Sequence, residues 1–493
     1  MSQPPIAWTI AGSDSGGGAG IQADMAAMRA FGVHPCSVVS ALTAQNSQTV
    51  TSIEAVSPAM FAAQLECLHA DLPARAIKTG MLATAGQVSY LADYYTRCLG
   101  DVPLLVDPVA VSASGQPLAG NQVLDRIRSH LIPLAALVTP NIAELAMLCG
   151  HAIDSDESLQ QGAEQLLRLG AKAILVKGGH ADWQGDQACD YFFSPQLSFK
   201  LIQPRQPTSH SHGTGCSMAS AIAACLARGD LVEDAVVQAN AYIAAGLSHA
   251  QPLGQGPGPV AHTQLPSPPR YFAKLISLSP LIRDLHSPAF EAVDTDHLGL
   301  YPIVDNTALL SELLRLGVQT IQLRIKEGSQ LKIEAAVAEA VLLGRRYQAR
   351  VFINDYWQFA LKHKAYGVHL GQEDVQMADL QAIRRAGLRL GVSTHGYYEL
   401  LNALALRPSY VALGHVFATP TKAMKSSPQG LQRLAHYTAI AGDMPTVAVG
   451  GINLDNAAKV KACGVGSIAV VRAVTDCINL AKQVEAFTDV IGR

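Results

Sequence analysis

Eight short apolar runs recur through the second half of the chain, at residues 301–304, 320–323, 351–353, 367–370, 390–393, 411–414, 447–450 and 468–471. They lie roughly 20 to 30 residues apart, with helical patterns between most of them, which is the repeat of a (β/α)₈ TIM barrel. An active site in that fold sits at the carboxyl ends of the strands, and polar residues fall there. Gln322, Arg324 and Lys326 surround the end of the second run, and Asn354 and Asp355 follow the third. Asp374 follows the fourth, Ser393 closes the fifth, Thr419, Thr421 and Lys422 lie past the sixth, and Gly450 and Gly451 end the seventh. Arg324, Lys326 and Lys422 offer cationic charge to an anionic ligand, and Asp355 and Asp374 offer hard oxygen ligands for Mg²⁺. Gly450 and Gly451, with the segment after Val471, occupy the monophosphate position of such barrels.

The first half has a different order. Apolar strands of a few residues are predicted at 6–10, 36–42, 77–81, 104–109, 137–141 and 173–180, alternating with helical stretches. This pattern predicts a largely parallel sheet with ligands beyond the carboxyl ends of its strands. Gln45, Asp107, Asn141, Glu144 and Lys177 collect at those ends. A glycine-rich loop at 11–20 follows the first strand but fits neither the dinucleotide nor the P-loop spacing, so it is read as a loop around a small ligand. Asp24 lies near the start of the next helix, where it serves either as a dipole-complementing acid or as a ligand contact. Further on, Gly213 and Gly215 precede a helix that carries Cys216 in its first turn. Such a terminus offers backbone N–H groups to phosphate, and a thiol there is expected to have a lowered pKa.

Composition narrows the class. The chain has 493 residues, 49% hydrophobic and only 15% charged, too many for one core and suited to α/β domains. A net charge of −3 with no basic block argues against a nucleic-acid surface. Nine cysteines without paired spacing point to a reduced, cytoplasmic protein, and no apolar run reaches membrane-spanning length. The boundary is expected in the proline- and glycine-containing stretch 256–297, which separates domains at 1–255 and 298–493, with 271–278 and 281–285 as candidate short helices.

The stretches TIAGSDSGGGAGIQAD, TAQN, KTGM, VDPV, TPNIAE, VKGGH and HGTGC together resemble the ribokinase-like fold, and within it hydroxymethylpyrimidine/phosphomethylpyrimidine kinase. The resemblance implies an αβα domain that phosphorylates a pyrimidine alcohol and then its monophosphate with ATP. It places Asp24, Gln45 and Met81 at the pyrimidine, Asp107 and Glu144 around magnesium and ATP, with Asn141 and Lys177 on the nucleotide side. Cys216 matches the place of the catalytic base, with Gly213 and Gly215 forming an anion hole.

QLRIK, NDY, GVHLGQEDV, GVSTH, GHVFATPTK and AVGGI resemble thiamine-phosphate synthase. That resemblance implies joining the pyrimidine diphosphate to thiazole phosphate with loss of pyrophosphate. Gln322, Arg324, Lys326, Asn354 and Lys422 match the diphosphate side and Ser393 lies by the pyrimidine. Thr419, Thr421, Gly451, Val471 and Arg472 match the thiazole-phosphate side. Ile325, Tyr356 and Arg472 depart from the family's usual residues. The expected partners are these small molecules, with neither nucleic acid nor membrane, and a homo-oligomer stays open. Two rivals also stay open: a pyridoxal-type or sugar kinase for the first half, and a regulatory or thiazole-isomerising relative for the second.

Overall fold

The computed structural model describes residues 3–110, 120–179, 181–278, 288–295, 297–419 and 426–492. The chain divides into two units, Met1–Ser279 and Pro280–Arg493.

In the first unit one sheet contains β1 (Ile6–Asp14), β2 (His34–Gln45), β3 (Val50–Ala55), β4 (Ala76–Thr79), β5 (Leu104–Val106), β6 (Leu137–Val138), β7 (Ile174–Val176), β8 (Gln187–Phe193), β9 (Ser198–Pro204) and β10 (Lys274–Ser277). Their spatial order is β10-β9-β8-β7-β6-β5-β4-β1-β2-β3. The strands from β7 through β2 pair in parallel, and both flanks are antiparallel. The central strands are mostly apolar on both faces because helices cover both; Trp8, Ile10, Ile77, Leu104, Val106 and Ile174 are fully buried in one core. The chain leaves β1 toward β2 on one side, while β4 lies on the other. Loops therefore diverge at this switch point and open a crevice at the carboxyl ends. Helix Thr214–Ala227 packs across β1 and β4. Its small side chains, Ala219, Ala221, Ala223 and Ala224 among them, are fully buried.

The second unit is a closed barrel of eight parallel strands: β11 (Gly299–Val304), β12 (Thr320–Leu323), β13 (Arg350–Asn354), β14 (Gly367–Leu370), β15 (Arg389–Thr394), β16 (Tyr410–Leu413), β17 (Thr446–Ala448) and β18 (Ser467–Val470). Each coincides with one of the eight apolar runs. Large and small residues alternate inside. Tyr301, Phe352 and Tyr410 fill the interior, and a Cβ at Gly367 or Gly391 would overlap the rings of Phe352 or Tyr410.

The stretch 256–297 is divided between the units. Gly256 N–H donates to Ser47 Oγ, the Val260 N–H to the His212 carbonyl, and β10 pairs antiparallel with β9. The helix expected at 271–278 is not formed. Leu275 is buried while Lys274 is exposed, an alternation that suits an edge strand, and the unpaired edge of β9 takes it up. The other candidate helix, 281–285, lies outside the described residues. At the far end Phe290 is buried with Arg384 stacked 4.3 Å from its ring, and its N–H donates to the Arg407 carbonyl of the second unit.

Candidate functional sites

Among the described residues, each unit has a large cavity at the carboxyl ends of its strands. The first, of about 780 Å³, is lined by every first-half candidate but one: Gln45, Met81, Asp107, Asn141, Glu144, Lys177, Gly213, Gly215 and Cys216. β6 and β7 end side by side, so that Asn141 and Lys177 form a parallel bridge. Asn141 and Glu144 close a reciprocal cap on the helix Ile142–Cys149: the Asn141 side chain accepts from the Glu144 N–H at 2.8 Å, and the Glu144 carboxylate from the Asn141 N–H at 2.9 Å. Lys177 Nζ lies 2.8 Å from Asp107 Oδ1, which also accepts from Thr139 Oγ1 at 3.0 Å. Burial pushes the Glu144 carboxyl up, Lys177 pulls it back and Asp107 adds to the rise. The result is a cation paired with Asp107 and within the field of Glu144 at the mouth of a parallel sheet.

Gly213 caps the helix Thr214–Ala227 at φ 75°, and a Cβ there would overlap the Gly18 carbonyl oxygen. The glycine-rich loop is thereby locked against the helix terminus. Asp14 organises that loop, accepting from Gly16, Gly18 and Ala19 N–H and lying 3.2 Å from His212 Nε2. Burial alone would raise the Asp14 carboxyl, yet these bonds, His212 first, hold it below the usual range.

Two expectations are corrected here. Asp24 does not line the cavity. It is fully buried, with both oxygens 2.9 Å from Lys78 Nζ and further bonds from Thr9 Oγ1 (2.5 Å) and Ser220 Oγ (2.7 Å). The helix Gly20–Ala30 turns its buried face, Ala23, Asp24, Ala27 and Met28, onto β1, β2 and the helix Thr214–Ala227, leaving the carboxylate no access to a ligand. Its partner Lys78 lines the cavity instead. Nor is the Cys216 thiol lowered. Burial pushes it up to about 11, Lys78 opposes the rise, and the Asp24 and Asp107 carboxylates add to it. Desolvation and two acids outweigh one ammonium and a helix end.

Sequence reasoning missed Lys78, Asp190 and Asn240. Lys78 stands within the KTGM stretch as a charge inside a buried strand, which was a usable signal. Asp190 accepts from Gly178 N–H at 3.1 Å and from Asn240 Nδ2 at 2.8 Å, and both residues line the cavity. Asp190 sits on β8, an antiparallel strand that the apolar pattern did not announce.

The second cavity, about 530 Å³, lies at the barrel mouth. Gln322, Arg324, Asn354, Asp355, Asp374, Ser393, Thr419, Gly451, Val471 and Arg472 all line it. Lys326 is exposed and does not, because the chain turns outward after β12. Thr421 and Lys422 lie outside the described residues. Asp355 takes a left-handed φ of 63° directly after β13, which carries its side chain into the cavity wall beside Asp374. Burial pushes its carboxyl up to about 6, Asp374 adds to this through charge and a hydrogen bond, and Arg324 opposes it. Arg472 is exposed and paired with Asp476 at 2.8 Å. Gly451, at φ 65°, packs against the Ala418 carbonyl, where a Cβ would not fit.

The donor set fits a hard divalent cation. Among the described residues no group of three or more His, Cys, Asp and Glu is arranged around one point. Two adjacent carboxylates supply part of a coordination shell and leave the rest to water and ligand oxygens, the usual habit of Mg²⁺.

Comparison with known proteins agrees with this division. Residues 14–261 match the model of the phosphomethylpyrimidine kinase family, and residues 300–474 that of thiamine monophosphate synthase. Thiamine-phosphate synthase of Klebsiella pneumoniae is 59% identical over 195 residues, 40% of this chain and 92% of that protein. The Salmonella enteritidis enzyme is 55% identical over 208 residues, 42% of this chain and 98% of its own length. Among solved structures, pyridoxal kinase from Staphylococcus aureus in complex with ADP superposes with a TM-score of 0.51 at 27% identity, covering 56% of this chain and all of that one.

Proposed function

The chain belongs to the phosphomethylpyrimidine kinase family in its first half and the thiamine-phosphate synthase family in its second, and on that premise we propose which residues carry its two activities. It is a bifunctional transferase of thiamine biosynthesis. The first unit phosphorylates hydroxymethylpyrimidine and its monophosphate with ATP. The second joins the resulting diphosphate to thiazole phosphate, releasing thiamine phosphate and pyrophosphate.

For the kinase, the reading is supported above all by Lys177, held by Asp107 facing the helix terminus at Gly213 and Gly215. Phosphoryl transfer asks chiefly for positioning and charge stabilisation. The N–H groups at this terminus and the Lys177 ammonium receive the phosphoryl oxygens. Gln45 and Met81 bound the pyrimidine, while Asn141 and Glu144 stand on the nucleotide side. Cys216 takes the substrate's hydroxyl proton as its thiolate, a minor species in the ligand-free cavity, beside the Lys78 ammonium. ATP is the phosphoryl donor, as the ADP bound by the related pyridoxal kinase supports.

For the synthase, Arg324, Gln322 and Asn354 hold the diphosphate, Ser393 the pyrimidine, and Thr419, Gly451, Val471 and Arg472 the thiazole phosphate. Thr421, Lys326 and Lys422 are assigned to this site through the family resemblance alone. Asp355 and Asp374 would hold Mg²⁺, which would supply positive charge to the diphosphate oxygens of the leaving group. No helix among the described residues is long and apolar enough to cross a membrane, and all nine cysteines are free, which supports a reducing compartment such as the cytoplasm.

A kinase assay with ATP that offers hydroxymethylpyrimidine against pyridoxal tests the first assignment. The pyrimidine is expected to be strongly preferred, and equal or better use of pyridoxal would overturn it.

A further inference from the structure

Across the floor of the barrel cavity runs an unbroken line of polar groups. Gln322 Nε2 donates to Tyr301 Oη at 3.4 Å, and Tyr301 Oη meets Tyr410 Oη at 2.7 Å. Tyr410 Oη meets His369 Nδ1 at 2.7 Å, and His369 Nε2 meets Ser393 Oγ at 2.8 Å. Gln322, Tyr301, Tyr410 and His369 are all buried, and all five residues line the cavity. Four polar side chains in an apolar barrel interior cost more than apolar ones unless the array does something that apolar packing would not.

We infer that this array is a one-way hydrogen-bond relay that fixes His369 as its Nε2–H tautomer and so presents the Ser393 hydroxyl as a donor to a ring nitrogen of the aromatic substrate. The polarity is the one arrangement in which each phenol and ring hydrogen has an acceptor within the array. An amide nitrogen can only donate, so Tyr301 accepts from Gln322, and Tyr410 is the array's one acceptor for the Tyr301 hydrogen. Tyr410 passes its own to His369 Nδ1, which must then carry a lone pair. The ring's hydrogen therefore sits on Nε2 and goes to Ser393 Oγ, leaving the serine hydrogen for the cavity. Burial keeps both phenols protonated, since it pushes each far above the ordinary tyrosine range. His369 is further held by stacking on Tyr410, ring centroids 5.6 Å apart and 26° from parallel. Run backwards, from Ser393 to a Gln322 carbonyl, the same array would show the ligand a lone pair and favour an amino group instead. Tyr301, Tyr410 and His369 are thus positioning residues that act through Ser393, and Gln322, besides its place at the diphosphate, sets the direction of the line.

This deepens the synthase reading and rests on it for the identity of the ligand, but the tautomer is measurable without substrate. Long-range ¹H–¹⁵N NMR on the full chain labelled with ¹⁵N-histidine, with the His369 signal assigned by its loss in His369→Gln, reports which nitrogen carries the hydrogen. Nε2–H is expected, and Nδ1–H in the wild-type chain overturns the relay. Gln322→Glu replaces the donor by an acceptor and is expected to switch His369 to Nδ1–H; an unchanged tautomer in that folded variant also overturns it. If Gln322→Glu does not fold, the wild-type tautomer still decides. Tyr410→Phe is expected to raise the KM for pyrimidine diphosphate about 10-fold, the scale of one hydrogen bond, with kinase turnover unchanged; an unchanged KM counts against the relay. Absence of any synthase turnover in the wild type would reject the function and leave the tautomer to stand or fall by NMR.

Discussion

At the scale of single residues, the floor of the kinase cavity is decided by one buried ion pair. Lys78 and Asp24 are both fully excluded from water and bonded to one another. Removing one partner leaves the other charged and unsolvated. Asp24→Ala is expected to destabilise the first unit by about 3–5 kcal/mol, read as earlier loss of kinase activity in denaturant while synthase activity persists. Coincident loss of both activities, or no change, would contradict the pair's role. Burial first, and then the Asp24 and Asp107 carboxylates, push the Cys216 thiol up to about 11. As a group protonated throughout the neutral range, it gains thiolate tenfold with each unit of pH. Kinase kcat/KM, which reports the free enzyme, is therefore expected to rise with unit slope from pH 6.5 to 9.5. Alkylation of Cys216 at pH 8 is expected to be roughly 10²-fold slower than that of an ordinary thiol of pKa about 8.5. A plateau in rate below pH 8 would show that the thiolate is already formed.

At the scale of elements, the anion hole depends on two loops whose backbones meet at Gly18 and Gly213. Gly213→Ala places a Cβ into the Gly18 carbonyl and forces a left-handed residue. It is expected to cut kinase turnover by at least ~10²-fold, the effect of losing one preorganised oxyanion donor, with synthase turnover intact; wild-type kinase activity in this variant would mean that the terminus binds no phosphoryl group. Elements also explain what could be read in advance. The barrel strands and β1, β2 and β4 to β7 were legible because strands packed under helices are mostly apolar, with a polar exception such as Lys78 or Gln322 marking a site. β3 is largely exposed, and β8 to β10 belong to an antiparallel flank, so their patterns carry no such run. The site residues at strand ends were legible because strand ends converge by construction. Asp24 was not: whether an acid on a helix meets ligand or core depends on which face packs down. The Cys216 thiol needed the distant Asp24 and Asp107 beside it before its charge could be weighed.

At the scale of the whole molecule, two catalytic units share one chain, and the stretch between them is divided by what each strand needs. The sheet of the first unit ends with β10, at Ser277. Residues 1–278 expressed alone are therefore expected to keep kinase activity and to melt several degrees above residues 1–262, which lack β10. Residues 288–493 are expected to keep synthase activity, and an inactive or insoluble piece would place the boundary elsewhere. The measurement that tests the central claim most directly uses the intact chain with hydroxymethylpyrimidine, ATP, Mg²⁺ and thiazole phosphate, following thiamine phosphate, ADP and pyrophosphate together. Thiamine phosphate is expected to accumulate with one pyrophosphate, and with ADP formed at twice its rate, because each pyrimidine is phosphorylated twice before condensation. ADP formation without thiamine phosphate, or no turnover of the pyrimidine at all, would contradict the account.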